Sequence, residues 1–430
     1  MEANPLALFR PATDPTPNPG ELSPEVTSAE VTQPEESLRR RDRATIASLS
    51  GAHFVNDTYA NFLGPLLPLI VGKLSLTIAQ AGWLGAVLTV SSCFMQPVYG
   101  YLSDRYLVRF FAVFSPLITT VFMSFIGIAP NFTVLALLLA AAGVGIASFH
   151  PQGAALIGAA SRDRRGLGMS IFIGAGTLGF ALAPIIAPYT VELFSLERSY
   201  FIMIPGVLAF AVLYFLIPND PPQPVAPQSR ANLKDLLLPM WRPLLILYLL
   251  VVIRSAVQIG FVHFLPLYFF QQGNDLIASG RLASVFTLFG AMGGFAGGLL
   301  SDKVGGRSVI VYSTLLAPPF LAAFFLTEGV LSSVLLASGA ALLLSTLPVN
   351  VVMAQKMLPQ RTSIASSLMM GFAWGMAGLA IPVVGALADR IGLGSALLVV
   401  VGLAAFGFVL SLFLPKDSAT EGGTGQITCH

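Results

Sequence analysis

The sequence predicts an all-α membrane protein of twelve transmembrane helices, arranged as two pseudo-symmetric six-helix bundles. Three observations carry this. Of 430 residues, 55% are hydrophobic and only 10% charged, with a mean hydropathy of +0.78, whereas an average soluble domain is about 25% charged. Twelve apolar runs can be counted, over residues 44–71, 79–103, 108–129, 132–159, 166–190, 199–217, 243–270, 280–301, 308–326, 330–355, 362–388 and 393–415. Finally, the chain repeats itself. Gly100-Tyr-Leu-Ser-Asp104-Arg105 returns 198 residues later as Gly298-Leu-Leu-Ser-Asp302-Lys303. The same offset carries Leu67-Pro68-Leu69 onto Leu265-Pro266-Leu267 and Pro184 onto Pro382.

Each run is long enough to cross a bilayer, which takes about 20 apolar residues, allowing for tilt. Short connections make consecutive helices antiparallel neighbours. The exception is the Pro-rich stretch 218–242, which divides the helices six and six. The expected organisation is therefore a disordered tail over 1–43, rich in Pro, Glu, Ser and Thr at its start, and a first bundle over 44–217. A linker over 218–242, a second bundle over 243–415 and a tail over 416–430 follow. Residues 1–38 lack the apolar core of a signal peptide.

Lys and Arg set the orientation, since they accumulate on the cytoplasmic side. With the N-terminus inside, seventeen of them near the helix ends face the cytoplasm, and only Lys73, Arg198, Arg281 and Arg390 face outward. Both termini are expected in the cytoplasm of a multi-pass protein of the cell (plasma or inner) membrane. A net charge of +2 gives no reason to expect a nucleic-acid partner. Cys93 and Cys429 make no disulfide framework. Gly143-Val-Gly145 lacks a P-loop lysine, and neither a nucleophile elbow nor a carboxylate pair is present, so an enzyme is not expected.

The first run is the least uniform. His53, Asn56, Asp57 and Asn61 sit in the middle of it, and His53, Asp57 and Asn61 share one helical face at i, i+4 and i+8. A carboxylate at that depth costs about 2.5–3.5 kcal/mol even on lenient scales, so this helix should line a polar interior. Asp57 is the only carboxylate deep in a run, and it is read as a proton-coupling residue; a structural ion pair is the rival reading. His53 shares its face and is a second coupling candidate, histidine being able to titrate between pH 5 and 8. Arg254 is the only base deep in a run. At the repeat offset it answers to Asn56, so it is read as facing Asp57 across a cavity and binding an anionic group in a planar, bidentate way. The rivals are a static partner for Asp57 or a side chain reaching the interface. Gln258 extends its face. His150, before Pro151, is a binding candidate near a proline kink, and His263 is a weaker one. His-His-Asp invites a metal reading, but no short ligand spacing such as H-E-x-x-H supports it, and neither metal nor cofactor is expected. Tyr59, Phe62, Phe149 and Trp374 are placed near the cavity as aromatic contacts.

Two six-helix halves with G-x-L-x-D-R/K after helices 2 and 8 resemble the major facilitator superfamily over residues 44–415. The second copy is the fuller one, with Gly298, Leu300, Asp302, Lys303, Gly305 and Arg307; the first has Leu107 where the motif has Gly. A third echo, Gly385-Ala-Leu-Ala-Asp389-Arg390-Ile-Gly392, falls at the opposite membrane face. Within the superfamily, His53-Phe-Val-Asn56-Asp57, Pro65 and Pro68, and Phe149-His150-Pro151-Gln152-Gly153 are similar to the fosmidomycin-resistance-type efflux proteins. The helix 4 pattern R-x-x-Q-G has Phe149 at its Arg position, and Gly174, Gly176, Gly179 and Pro184 approximate the helix 5 antiporter motif.

The resemblance implies a major facilitator fold and a proton-driven exporter of a drug or metabolite. It also implies a cytoplasmic latch of Asp104, Arg105 and Arg109 with Asp302, Lys303 and Arg307 that breaks as the halves rock. Substrate is expected between helices 1, 4, 7 and 10, contacting Arg254, His150, Asn56, Asn61, Gln152, Gln258 and Asn350. The partners are then a small molecule, protons and the lipid bilayer. One chain encloses the cavity, so a monomer suffices. Alternatives are a proton-driven importer or uniporter of a small anionic metabolite, and a non-transporting receptor or scaffold.

Overall fold

A computed structural model of the chain describes residues 28–96, 98–99, 108–161, 165–217, 233–359 and 362–415. Asp104 and Arg105, the tails over 1–27 and 416–430 and most of the linker lie outside the described residues. Residues 43–430 form one compact unit and residues 1–42 another. The described residues carry helices and no strand.

The twelve-helix architecture holds, with its helices bent and broken in specific places. The first span is two helices, Ser28–Ala60 and Leu63–Leu74. The break falls where Pro65 lacks an N–H and crowds the carbonyl four residues back, at Asn61. The helix also starts well before residue 44, because Glu35-Glu36-Ser-Leu38-Arg39-Arg40-Arg41 is made mostly of good helix formers. The next five spans contain Ile78–Phe94, Val108–Ser124, Phe132–Ala160, Arg165–Phe194 and Ile204–Leu216. The seventh, Leu233–Gln271, begins ten residues before the expected boundary, so the last part of the predicted linker is helical. The polar, Pro-rich start of that linker gives way at Leu233-Lys-Asp-Leu-Leu-Leu to residues that favour a helix. Leu276–Val304 and Gly306–Phe325 follow, then a tenth span split into Gly329–Leu344 and Thr346–Met357. The eleventh passes through a π-helical turn at Leu368–Phe372 before Ile381–Ile391, and Leu393–Ser411 closes the fold.

The repeat is visible in contacts as well as in letters. Arg109 donates from Nε to the Ile217 carbonyl (2.9 Å) and from Nη2 to the Tyr214 carbonyl (2.7 Å), serving the end of the sixth span. Arg307 does the same for the twelfth, reaching the Leu414 and Leu412 carbonyls at 3.0 Å each. Guanidinium groups at helix C-termini satisfy orphan carbonyls and oppose the negative end of the helix dipole. Phe215, Phe295 and Val330 point outward, as lipid-facing side chains do.

The halves meet along spans 2 and 11, from the end that bears the turns at 75–77 and 272–275 as far as the rings of Phe94 and Phe372, whose centroids are 5.3 Å apart. A Cβ on Gly82 would stand 2.7 Å from the Ile381 carbonyl oxygen, and one on Gly64 would stand 2.6 Å from that of Val262. Small residues at such crossings let helix backbones touch. Hydrogen bonds join the halves there too. Thr287 donates to the Ala181 carbonyl (2.9 Å), His263 Nε2 to the Ala81 carbonyl (2.9 Å), and Arg281 bonds the Tyr189 hydroxyl.

Candidate functional site

The carboxylate of Asp57 lies between two imidazoles. His53, one turn earlier on the same helix, places Nε2 3.1 Å from Asp57 Oδ2. His150, from the fourth span, places Nε2 3.3 Å from Oδ1. Asn56 adds a donor to Oδ1 at 3.1 Å. The other nitrogen of each ring is fixed. His53 Nδ1 is 2.8 Å from the Phe172 carbonyl, and His150 Nδ1 is 2.8 Å from the Ile146 carbonyl. A carbonyl only accepts, so each Nδ1 carries its hydrogen. Both Nε2 atoms therefore face the carboxylate as the positions at which a further proton can be held.

The cluster is held from behind. The His53 ring stacks on Phe172 with centroids 4.0 Å apart and tilts against Phe149 at 5.6 Å. Gly176 forms its floor: a Cβ there would stand 2.5 Å from Cε1 and Nε2 of His53. Phe172 is not distinguishable as a site residue by sequence, and Gly176 is singled out there only through the helix 5 glycine pattern. His53 is almost fully buried, whereas the His150 side chain is 31% exposed and the Asp57 side chain 14%. The cluster thus has a closed side at His53 and an open side at His150.

His53, Asn56, Asp57 and His150 come together as one site. Asn61 instead donates to the Phe180 carbonyl (2.8 Å) and ties the first span to the fifth. Gln152, fully buried, donates to the Tyr99 carbonyl at 3.1 Å, with its Oε1 unpartnered. The three ligand-type atoms of His53, Asp57 and His150 lie within 4.8 Å of one another, a grouping that the separation of positions 57 and 150 in the chain conceals.

Arg254 stands apart. Its Nη1 donates to Gln258 Oε1 at 2.6 Å and its Nη2 to Ser255 Oγ at 2.9 Å, while Nε has no partner. The guanidinium is 6% exposed and borders a cavity of about 20 Å³ that Asn350, Thr346 and Ser313 also line. Asn350 Oδ1 is unpartnered as well. Asp57 takes its ionic contacts from the histidines, so the reading of Arg254 as its static partner does not describe this structure. His263 belongs to the seam between the halves. Of the aromatic candidates, Phe149 is fully buried, and Tyr59 and Phe62, at 3% and 1% exposure, stack on each other in the core. These three pack the protein interior. In the latch, Arg109 and Arg307 hold helix ends as described, and Asp302 and Lys303 are exposed.

Known proteins agree with the fold. Residues 49–382 match the sequence model of the Major Facilitator Superfamily. The chain belongs to that superfamily. It is 29% identical over 380 residues to the uncharacterized MFS-type transporter YfnC of Bacillus subtilis (strain 168), covering 85% of this chain and 91% of that one. It is 27% identical over 382 residues to the fosmidomycin resistance protein of Escherichia coli (strain K12), covering 86% and 93%. Among solved structures, a bacterial homolog of the human lysosomal transporter Spinster, inward-facing and unoccupied, superposes with a TM-score of 0.74 at 17% identity, over 86% of this chain and 97% of that one. This is a multi-pass membrane transporter of small molecules, and not an enzyme.

Proposed function

We propose that the protein is a proton-coupled exporter of a drug or small metabolite, with a place for an anionic group, working by alternating access between its two halves. The observation that carries this is the His53–Asp57–His150 cluster. Two imidazoles with fixed Nδ1–H groups aim both remaining ring nitrogens at one carboxylate. That is a place to take up and give back protons inside a membrane span, where ionisable groups are costly and mark transport paths. His150, on the open side of the cluster, would exchange protons, and Asp57 would couple their arrival to movement of the first span. Arg254, a cation whose partners among the described residues are neutral, would receive the substrate's anionic group, helped by Gln258 and Asn350. Asn56, Asn61 and Gln152 would shape the opposite wall.

Export rests on relatives named for resistance, among them the fosmidomycin resistance protein and the multi-drug resistance efflux pump PmrA of Streptococcus pneumoniae. The bundles over 44–217 and 243–415 would be the rocking bodies of a monomer. With both termini in the cytoplasm of a plasma-membrane protein, the end at which Asp389, His263 and Arg281 bond across the halves would be the outer one. Asp104, Arg105, Asp302 and Lys303 would clamp the inner end, with Arg109 and Arg307, in the alternate state.

The test is flux in sealed proteoliposomes under an imposed pH gradient, with fosmidomycin and several lipophilic drugs as probes. Gradient-driven movement that Asp57→Asn abolishes supports the reading. Undiminished gradient-driven movement in that variant overturns Asp57 as coupling residue. Accumulation in the opposite direction would make the protein an importer.

A further inference from the structure

The third motif echo, Gly385 to Gly392, has no role in the transport site, yet it is built like the second. Both copies end on a glycine in the left-handed region, Gly305 at φ 85°, ψ 149° and Gly392 at φ 84°, ψ 154°. The same turn thus occurs at both ends of the second bundle, and its aspartates are in different situations. Both are exposed, and Asp302 sits beside the glycine turn at the inner end. Asp389 reaches across to the other half. Its Oδ1 accepts the N–H of Ile78 at 2.8 Å and its Oδ2 the N–H of Ala79 at 2.9 Å.

Ile78 and Ala79 open the helix of the second span, whose first four N–H groups have no partner within the helix. Two of them, those of Thr77 and Gln80, are served by a capping box: Thr77 Oγ1 accepts from Gln80 N (3.1 Å) and Gln80 Oε1 accepts from Thr77 N (2.9 Å). The remaining two N–H groups are served by Asp389, from a position over 300 residues away. A carboxylate favours the positive end of a helix dipole, and hydrogen bonds to an ionised acceptor are the stronger kind. Gly385 makes the approach possible, since a Cβ there would stand 2.4 Å from the Ile78 carbonyl oxygen.

We propose that Asp389 is a positioning residue of the transport cycle. It completes the N-terminus of the second span only while the outer ends of spans 2 and 11 are together, and its release is the step that opens the outer side. Opening then leaves the Ile78 and Ala79 N–H groups to water. This rests on the alternating access proposed above, but its test reads a distance and needs neither substrate nor a proton gradient. A failure here is therefore distinguishable from a failure of the flux experiment.

Spin labels at Ser75→Cys and Gln272→Cys, in a Cys93→Ala, Cys429→Ser background, report the separation of the two halves at the outer end by pulsed EPR in liposomes. Asp389→Ala is expected to raise the outward-open population relative to the closed one about tenfold, the equivalent of about 1.4 kcal/mol. Asp389→Asn, which keeps an acceptor without the charge, should fall between, and Asp389→Glu should restore much of the closed population. Thr77→Val removes the local cap without touching the seam and should leave the distribution unchanged. An Asp389→Ala distribution equal to that of the parent overturns the proposal. An equal shift from Thr77→Val would also overturn it, because fraying of the helix, not the seam, would then be responsible.

Discussion

The two bundles hold their buried charges in opposite ways. In the first, Asp57 is met by His53 and His150 at 3.1 and 3.3 Å, with Asn56 beside them. In the second, at a position one residue from equivalent under the repeat, Arg254 is met by Gln258 and Ser255 alone. The first arrangement is balanced by partners that themselves bind protons. The second is a cation that cannot be deprotonated in practice and that lacks a counter-charge among the described residues. On the function proposed above, the two halves divide the labour: one carries the group whose charge changes, the other a charge that stays.

The sharpest way to break this contrast is to neutralise each side in turn. Asp57→Asn should reduce gradient-driven flux to background while the protein still reaches the membrane. Removing the partner of a buried ion pair costs about 3–5 kcal/mol, so its thermal stability in detergent should fall clearly as well. Arg254→Gln should instead leave proton coupling in place and raise KM for anionic substrates by roughly 10–100-fold, since a hydrogen bond to a charged group is worth about 1.5–3 kcal/mol. Neutral drugs should be transported as before. Arg254→Lys should recover only part of the loss, because an ammonium does not reproduce the planar fork. An equal effect of Arg254→Gln on charged and neutral substrates would remove the binding role.

A double-mutant cycle sharpens the same comparison. Asp57 and His150 touch, so Asp57→Asn and His150→Gln should be non-additive in stability by about 1 kcal/mol or more, whereas Asp57→Asn with Arg254→Gln should add within roughly 0.5 kcal/mol. Strong coupling between Asp57 and Arg254 would show that they do meet in a populated state of the cycle.

How far the sequence reaches follows the physics of each feature. The fold is legible because hydropathy and a constant offset of 198 are written directly in the chain. Helix ends are less so: good helix formers carry spans 1 and 7 beyond their apolar runs, where hydropathy gives no signal. The i, i+4 spacing places His53 beside Asp57, and helix geometry alone justifies it. His150 stands out by its proline and its candidate cavity, but nothing in the spacing of positions 57 and 150 brings it onto the same carboxylate; only the packing of the first span against the fourth does. The packing of the aromatic residues is equally hidden in the sequence. Tyr59 and Phe62 lie on the span that bears the site, and yet a helix has a back, and theirs is core.

The smallest expected effect tests the closed side of the cluster. Gly176→Ala adds one methyl group directly beneath the His53 ring, 2.5 Å from Nε2 and Cε1. Phe172 is stacked on the ring at 4.0 Å and its carbonyl holds Nδ1, so the ring cannot move aside without loosening that bond or lengthening the contact to Asp57. Inserting a methyl group into a packed site costs about 1–3 kcal/mol, and the variant should unfold at a lower temperature. Its flux should drop a few-fold, with KM for an anionic substrate unchanged, because Arg254 and its neighbours in the second bundle are untouched. Gly174→Ala is the control: a Cβ there meets nothing within 4 Å, and the same added methyl should leave both flux and stability as they were. A KM that rose with Gly176→Ala would mean that the first bundle binds the substrate's charge as well, and the division between the halves would have to be redrawn.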